Sequence, residues 1–418
     1  MSDRDRRDRL SAASTLLVAR VVYAVNWYNI GAILPLVGTR FDASTADLGI
    51  VLGAFLLGAG VFQIPAGLAA LRWGNRSVSI FALVLMGAFS FVSAFSPSWP
   101  VLAATRFGAG AGAAFFFAPA LGLVTSYFPP GSRGPVIGLY NSGFSIGSAV
   151  GLLGGAAVGV AFGWSAALWT GGAALLVMAV VAPFGLPRIA PTGRPPVIRQ
   201  LVDAAIPIFR SRSIWALSLG TSGLWAALYL AAQYFVKFAQ VTHPGWTLAV
   251  AAVVPTVMIL LEVPGGPIGG WLGERRSEMR EVILVWGVAA GVAIFLIPFL
   301  PFLGLFALFG FLGFADGVIF AVLYLLPSYL PESRGPNLAL GLGVVNSIQI
   351  FFGSALTIAF GFLAGDFGYD VAWAFAGAVA LGLLPLLLWV SGRRGTAVTG
   401  AVPGPVSGRS IRAPNRPA

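Results

Sequence analysis

The chain has 418 residues, of which 58% are hydrophobic and only 9% are charged, and its mean hydropathy is +0.89. A soluble protein of this length carries roughly a quarter charged residues, so this composition excludes a soluble globular protein and predicts a surface that faces lipid. The net charge of +11 comes mostly from Arg residues in short breaks between apolar runs, which excludes an extended basic face for nucleic acid.

Twelve apolar runs follow one another in the sequence, each close to the roughly 20 residues that span a bilayer. After a charged segment at 1–13, which we interpret as preceding an uncleaved first span, the N-terminal half (14–186) has predicted spans at 14–37, 46–71, 77–96, 100–128, 135–161 and 165–186. The C-terminal half (213–392) has predicted spans at 213–239, 247–272, 280–299, 302–330, 336–364 and 370–392. The Pro-rich stretch 187–212 is predicted to be a cytoplasmic linker, and the polar tail 393–418 to be disordered in the cytoplasm.

The positions of the cations predict the orientation. If the N-terminus is cytoplasmic, 21 of the 25 Lys and Arg residues lie in cytoplasmic segments, and only Arg40 lies outside. This asymmetry is the positive-inside rule. We therefore expect a multi-pass protein of the cytoplasmic membrane with both termini in the cytoplasm.

An internal repeat relates the two halves. The segment 62–67 (Phe-Gln-Ile-Pro-Ala-Gly) recurs as 261–266 (Leu-Glu-Val-Pro-Gly-Gly), an offset of 199 residues. A Tyr-x-Pro sequence followed by Ser-Arg-Gly-Pro occurs in both 127–135 and 329–336. The repeat predicts an all-α fold of twelve transmembrane helices in two pseudo-symmetric halves. Duplicated halves are typical of transporters that bind their substrate near the midplane between them.

The loop after the second predicted span carries a family resemblance. Residues 67–76 (Gly-Leu-Ala-Ala-Leu-Arg-Trp-Gly-Asn-Arg) resemble the cytoplasmic loop motif of the major facilitator superfamily, in which a Gly leads to Asp-Arg-x-Gly-Arg-Arg. The second copy is 266–275, with Leu71 and Gly270 at the positions of the motif Asp. In the family this Asp helps to lock the inner gate. Both copies lack it here, so the resemblance does not imply that the gate is locked by this residue. The gate-loop residues that it implies are Gly67, Arg72, Gly74, Arg76, Gly266, Gly273 and Arg275.

Two further motifs support the same resemblance, which extends over 14–392. Arg106 with the run 110–114 (Gly-Ala-Gly-Ala-Ala) resembles the family's Arg-x-x-x-Gly-x-Gly-Ala-Ala motif, associated there with proton coupling. A Gly series in the fifth predicted span partly resembles the drug-antiporter motif of the family, but Leu152 stands where its Pro is expected. This departure is evidence against a drug antiporter.

Two acidic residues lie within predicted spans, where a charge costs at least about 2.5–3.5 kcal/mol at the helix centre and marks a candidate functional site. Asp316 lies midway along the tenth span, and Glu262 takes the place of Gln63 in the repeat. A carboxylate in an apolar surrounding can take up a proton reversibly. We expect both residues to couple protons to transport; the alternative is that they form interior polar contacts that only stabilise packing.

Three cations also lie within spans. Arg106 is a candidate partner of a substrate anion, and Lys237 ends a four-residue stripe on the seventh span that includes Tyr229 and Gln233. For Arg20, near the inner end of the first span, snorkelling toward the lipid headgroups is the favoured interpretation. The remaining candidate substrate-binding residues are polar or aromatic side chains on the first, fifth and eleventh spans: Tyr23, Asn26, Trp27, Asn141, Asn346 and Gln349. Each of these can instead bond to a neighbouring helix.

The residues and the resemblance together predict a secondary active transporter that works by alternating access, is coupled to protons and prefers a small organic anion. A drug or metabolite efflux antiporter of the same fold and a non-transporting receptor are the alternatives. The chain lacks Cys and has a single His, so the usual parts of an intramembrane enzyme are missing, and no ATP-binding loop is present. We expect no cofactor and no metal, a monomer, a small-molecule substrate, and contact with anionic lipids.

Overall fold

The computed structural model describes residues 3–128, 130–188, 198–275, 279–333 and 338–390. Within them, twelve helices are long and apolar enough to cross a membrane, as the sequence predicts. The N-terminal half contains α1 (Asp3–Phe41), α2 (Thr45–Trp73), α3 (Asn75–Ser93), α4 (Trp99–Tyr127), α5 (Pro130–Phe162) and α6 (Trp164–Gly185). A short helix, α7 (Ile198–Arg210), precedes the C-terminal half, which contains α8 (Arg212–Thr242), α9 (Leu248–Arg275), α10 (Met279–Leu296), α11 (Phe302–Leu325), α12 (Leu338–Asp366) and α13 (Tyr369–Leu383).

The first helix and the linker differ in detail from the predicted segments. Helix α1 begins at Asp3, so the charged segment predicted at 1–13 continues the first helix. Within the predicted linker 187–212, helix α7 is joined to α8 by a hydrogen bond from the Trp215 indole to the carbonyl of Phe209 (2.8 Å). The tail predicted at 393–418 lies outside the described residues.

Local sequence signals explain where several helices begin. Ser44 and Asp47 form a capping box at the start of α2. Gly163 precedes α6 with a φ of 88°, and Gly368 precedes α13 with a φ of 90°. Only Gly adopts this conformation without strain. The same turn therefore introduces the last spanning helix of each half.

In each half, an Arg at the start of the third spanning helix binds carbonyls at the end of the sixth. Arg76, at the start of α3, donates hydrogen bonds to the carbonyls of Leu186 (2.8 Å) and Pro183 (2.7 Å) at the end of α6. Arg280, at the start of α10, donates to the carbonyls of Leu388 (2.9 Å) and Val390 (3.0 Å) after α13. A cation at a helix C-terminus satisfies carbonyls that lack an intrahelical partner.

The two halves meet along α2 and α12. We call the side of the molecule where α1 begins and α13 ends the terminus side, and the opposite side the distal side. On the distal side the two backbones nearly touch, since a Cβ built on Gly361 would lie 2.9 Å from the Cα of Gly49. Nearer the middle, Ser354 donates to the carbonyl of Gly53 (2.8 Å) and Ser347 donates to the carbonyl of Gly60 (3.0 Å).

The same two helix faces separate toward the terminus side. Gly67 lies seven residues beyond Gly60, and Gly343 lies four residues before Ser347, so both are on the faces that meet distally. A Cβ built on either glycine would have no neighbour within 4 Å. Along α2 and α12, the interface between the halves is therefore closed distally and open on the terminus side.

Helices α1 and α8 complete the distal closure. The Gln233 amide of α8 donates to the carbonyl of Trp27 in α1 (2.8 Å), and the Tyr234 hydroxyl donates to the carbonyl of Thr45 at the start of α2 (2.7 Å). Gln233, Tyr234, Ser347 and Ser354 thus each make a side-chain hydrogen bond that joins the halves at the middle of the molecule or on its distal side.

Candidate functional site

A cavity lies between the two halves, on the terminus side of the distal closure. Its empty volume is about 780 Å³, counting the part that is open to solvent. Aromatic side chains from five helices form most of its wall: Tyr23, Trp27, Tyr28, Phe117, Phe144, Trp225, Tyr229, Phe320 and Tyr324. Its polar lining consists of Arg20, Gln63, Glu262, Asp316 and Asn346, together with the Tyr and Trp polar atoms. A concave, largely apolar wall with a few convergent polar groups is typical of a small-molecule site.

The two carboxylates predicted to couple protons, Glu262 of α9 and Asp316 of α11, both line this cavity. Glycines bring their helices together, because a Cβ on Gly265 would lie 3.1 Å from the Cα of Gly317. The two acids also share a smaller recess of the cavity with Tyr28 and are close enough to interact electrostatically. The structure thus brings together two acids that are 54 positions apart in the sequence.

Arg20 is the cation that lines the cavity, although the sequence favoured a side chain that reaches toward the headgroups. Arg20 as a whole residue is only 5% exposed. Its guanidinium lies 4.5 Å from the ring centre of Phe144 and 4.9 Å from that of Tyr140. It also interacts electrostatically with Glu262. The prediction of a snorkelling Arg20 is wrong, because aromatic rings of α1, α4 and α5 surround the cation in the interior.

Arg106 and Asn26, predicted to bind substrate, lie outside the cavity lining. Arg106 is fully buried in the N-terminal half, where it donates to the carbonyl of Asn26 (3.1 Å) and lies over the ring of Phe55 (4.5 Å). The Asn26 amide donates to the carbonyl of Gly171 in α6 (2.9 Å). Both residues therefore hold α1 to its neighbours. By contrast Tyr23 and Trp27, on another face of α1, line the cavity.

The polar stripe of α8 crosses two environments. Tyr229 lines the cavity, stacked on Trp225 with ring centres 5.6 Å apart. Gln233 belongs to the distal closure. Lys237 lies further along the helix, where a Cβ built on Gly38 of α1 would be 3.6 Å from its Nζ. Only the first part of the predicted stripe therefore faces the cavity.

The candidates on α5 and α12 also separate. Asn346 lines the cavity and accepts a hydrogen bond from the Tyr324 hydroxyl (3.0 Å). Gln349 is fully buried and donates to the Thr221 hydroxyl (2.8 Å), beside a small recess that Asp316 also lines. Asn141 is exposed on α5 and does not line the cavity.

The predicted gate-loop residues lie at the terminus side, away from the cavity. Besides Arg76, which binds the end of α6, Arg72 lies 5.6 Å from the ring centre of Trp73, and Arg275 lies 4.2 Å from that of Trp271. Gly74 has a φ of 83° and separates α2 from α3. Open space adjoins Gly67, Gly74 and Gly266, whereas Gly273 packs near Val322 and Leu325 of α11.

Sequence reasoning missed several cavity residues. Gln63 lines the cavity as the repeat partner of Glu262, and that correspondence is a signal that could have identified it. Tyr28, Phe117, Phe144 and Phe320 gave no comparable signal, because an aromatic residue in an apolar span is more often packed in the core or against lipid. Among the described residues, no group of three or more His, Cys, Asp or Glu residues is placed to hold a metal ion.

Comparisons with known proteins agree with this architecture. The family model described as "Major Facilitator Superfamily" matches residues 16–342. An uncharacterized MFS-type transporter of Mycobacterium tuberculosis is 26% identical over 384 residues, covering 84% of this chain and 85% of that protein. A 4-hydroxybenzoate transporter of Pseudomonas aeruginosa is 34% identical over 160 residues, covering 38% of this chain and 36% of that protein. The crystal structure of a bacterial homologue of the human lysosomal transporter Spinster, inward-facing and unoccupied, gives a TM-score of 0.70 at 19% identity, covering 93% of this chain and 96% of that chain.

Proposed function

The chain belongs to the major facilitator superfamily, and on this premise we propose that it carries a small organic anion together with protons by alternating access. Its relatives are transporters and not enzymes, and it is a multi-pass membrane protein of a family whose members bind small molecules. The observation that carries the proposal is the pair Glu262 and Asp316, two carboxylates from different helices in one cavity between the halves.

Alternating access requires that the cavity be closed on one side and open on the other. The contact of Gly49 with Gly361 closes the distal side, and the open space at Gly67 and Gly343 supports access from the terminus side. With both termini in the cytoplasm, as the distribution of Arg suggests, this is a cytoplasm-open state. Transport then consists of closing the terminus side and separating α2 from α12.

The two acids would carry the protons. When both are ionised, the cavity holds two negative charges and the single positive charge of Arg20, which disfavours an anion. A proton on each acid leaves Arg20 uncompensated, so an anion binds best to the protonated cavity. Protons and anion would therefore enter and leave together. The similarity to a 4-hydroxybenzoate transporter also favours an organic anion as the substrate.

The structure changes one basis of the anion hypothesis. The sequence counted Arg106 and Lys237 among the cations of the site, but neither lines the cavity. The positive charge that an anion would meet there belongs to Arg20. We further propose that the protein is a monomer in the cell membrane, with the linker 187–212 and the tail 393–418 in the cytoplasm and its cytoplasmic Arg residues near anionic lipids.

The test is uptake by purified protein in proteoliposomes, from a panel of small carboxylates and sulfonates, sugars and cationic drugs, with and without a pH gradient. Protein-free liposomes give the passive leak. We expect accumulation of anions that depends on an inwardly directed proton gradient and is lost in both Glu262→Gln and Asp316→Asn. Asp366→Asn, at an exposed end of α12, is the matched control and should transport normally.

Other outcomes identify the alternatives. An efflux antiporter would accumulate cationic or neutral drugs in the lumen when protons flow out of the lumen. A receptor with this fold would bind a compound of the panel without moving it. Retention of full gradient-driven uptake in both carboxylate variants would reject the proposed role of Glu262 and Asp316.

A further inference from the structure

Arg20 has hydrogen-bonding capacity that the described part of the chain does not use. Nε and Nη1 of its guanidinium are buried and make no hydrogen bond of ordinary geometry within the described part of the chain, although the hydroxyls of Tyr23 and Tyr140 lie close enough to interact with the guanidinium. Buried polar groups nearly always have partners, and an arginine in this position lines a cavity that a solute can enter. Unsatisfied guanidinium N–H groups beside a cavity favour an acceptor that enters it, and the strongest acceptors are anionic oxygens.

Aromatic rings keep this cation in the interior without neutralising it. The guanidinium carbon lies 4.5 Å from the ring centre of Phe144, 4.9 Å from Tyr140, 5.0 Å from Tyr23 and 5.4 Å from Phe117. Cation–π contacts at these distances stabilise the charge from its faces. The N–H groups point outward in the plane of the guanidinium, which is the geometry in which a carboxylate or sulfonate accepts hydrogen bonds from arginine.

The remaining wall of the cavity favours a flat apolar body. Trp225 and Tyr229 stack with an interplanar angle of 12°, and Trp27 meets Phe144 edge to face with ring centres 6.3 Å apart. A planar ring can enter such an arrangement with the stacked or edge-to-face geometry that aromatic groups prefer. A long flexible chain or a heavily hydrated sugar would make poorer use of these walls.

The charged and titratable groups around Arg20 limit the charge of the ligand. Glu262 of α9 and Tyr324 of α11 interact with it electrostatically, Tyr23 and Tyr140 contact it from α1 and α5, and Asp316 lines the same cavity. The anion is proposed to bind when both acids are protonated, so the cavity lining then carries only the positive charge of Arg20, and a second negative charge on the ligand would have no partner there. A single negative charge can pair with Arg20 alone.

We propose that Arg20 is the anion-binding residue of the cavity and that the ligand is an aromatic monoanion, with a carboxylate or sulfonate on Arg20 and its ring against the aromatic wall. This inference rests on the proposed function and names its substrate class and the residue that binds it.

The experiment measures binding of benzoate to the purified full-length protein by isothermal titration calorimetry at a fixed, mildly acidic pH. Benzamide tests the charge, cyclohexanecarboxylate tests the flat ring, and terephthalate tests the second charge. We expect benzoate to bind most tightly. Arg20→Gln should weaken the affinity for benzoate by about ten- to hundredfold, the loss expected for a hydrogen bond to a charged group. The affinity for benzamide should change by less than about twofold.

Arg40→Gln, at an exposed position on the distal side, is the matched control and should bind benzoate like the unmodified protein. Arg20→Lys keeps the positive charge but loses the planar set of guanidinium N–H donors. Its affinity for benzoate should therefore lie between that of Arg20→Gln and that of the unmodified protein. A thermal unfolding scan of each variant shows whether it is folded, so that a loss of binding can be assigned to the site.

The inference is overturned if benzamide binds as tightly as benzoate, if folded Arg20→Gln retains full affinity, or if no compound of this series binds. Transport separates it from the proposed function. Proton-driven uptake of a non-aromatic anion with no benzoate binding would retain the proposed function and reject this inference. Arg20-dependent benzoate binding, with no proton-driven uptake of benzenesulfonate, would retain the anion site and reject the proposed transport mechanism.

Discussion

The distal contact between α2 and α12 makes the substitution Gly361→Ala a direct probe of alternating access. The added Cβ would lie 2.9 Å from the Cα of Gly49 and 2.9 Å from the carbonyl oxygen of Thr45. Both atoms belong to backbone that cannot move without separating the helices. An extra carbon in a packed contact costs about 1–3 kcal/mol, and this cost applies only while the distal side is closed. The balance between closed and open distal states should therefore shift by about five- to 150-fold toward the open one.

The assay is a distance measurement between two spin labels on the distal side. The chain contains no Cys, so cysteines can be introduced at the exposed positions Arg40 and Asp366 without removing others. Gly361→Ala should add a population at longer distances. Gly382→Ala, where a Cβ has open space, gives the same gain in helix propensity and should leave the distribution unchanged. An unchanged distribution in a folded Gly361→Ala protein would refute the assignment of this contact as the distal gate.

Two further substitutions test other contacts of the fold. Arg76→Gln should lower the free energy of unfolding by about 1.5–3 kcal/mol, because two charge-assisted hydrogen bonds to the end of α6 are lost. Thermal unfolding in detergent measures this loss. An equal loss in Arg72→Gln, at an exposed position, would contradict the prediction. Gln233→Leu removes the hydrogen bond from α8 to the Trp27 carbonyl. It should therefore increase the population with the distal side open in the same spin-label experiment. A decrease in that population would show that Gln233 does not hold the distal side closed.

Much of the architecture could be predicted from the sequence. The apolar runs and the repeat near 200 residues indicate twelve spans in two halves, and this architecture is confirmed. An interior position for both Glu262 and Asp316 also followed from a simple physical argument, although their meeting in one cavity did not. A carboxylate within a span is too costly to face lipid, so both acids were expected to face the interior between helices.

The orientation of α1 could not be predicted. Tyr23 and Trp27 are four residues apart and share the face that lines the cavity, whereas Asn26 lies three residues from Tyr23 and binds α6. All of these polar or aromatic side chains avoid lipid. Which interior neighbour each one meets depends on the rotation of the helix, and that is set by close packing such as the contact of Gly147 in α5 with Val21.

Depth along a helix was equally ambiguous. Tyr229, Gln233 and Lys237 lie on one face of α8, yet only Tyr229 is at the level of the cavity. A four-residue spacing indicates a face but not how far the cavity extends along it. Arg20 shows the converse: its place near the end of a span suggested snorkelling, but the rings that hold it inside come from α4 and α5 as well as α1. Such long-range partners cannot be read from one segment.

The most direct test of the central claim is to record anion uptake and internal pH at the same time in proteoliposomes. Benzenesulfonate is a suitable anion because it stays ionised and does not cross lipid by itself. The account predicts that the lumen acidifies as the anion enters, and that the variant carrying both Glu262→Gln and Asp316→Asn gives neither proton-driven accumulation nor acidification. Uptake of an anion without proton movement, or acidification that persists in the double variant, would contradict it.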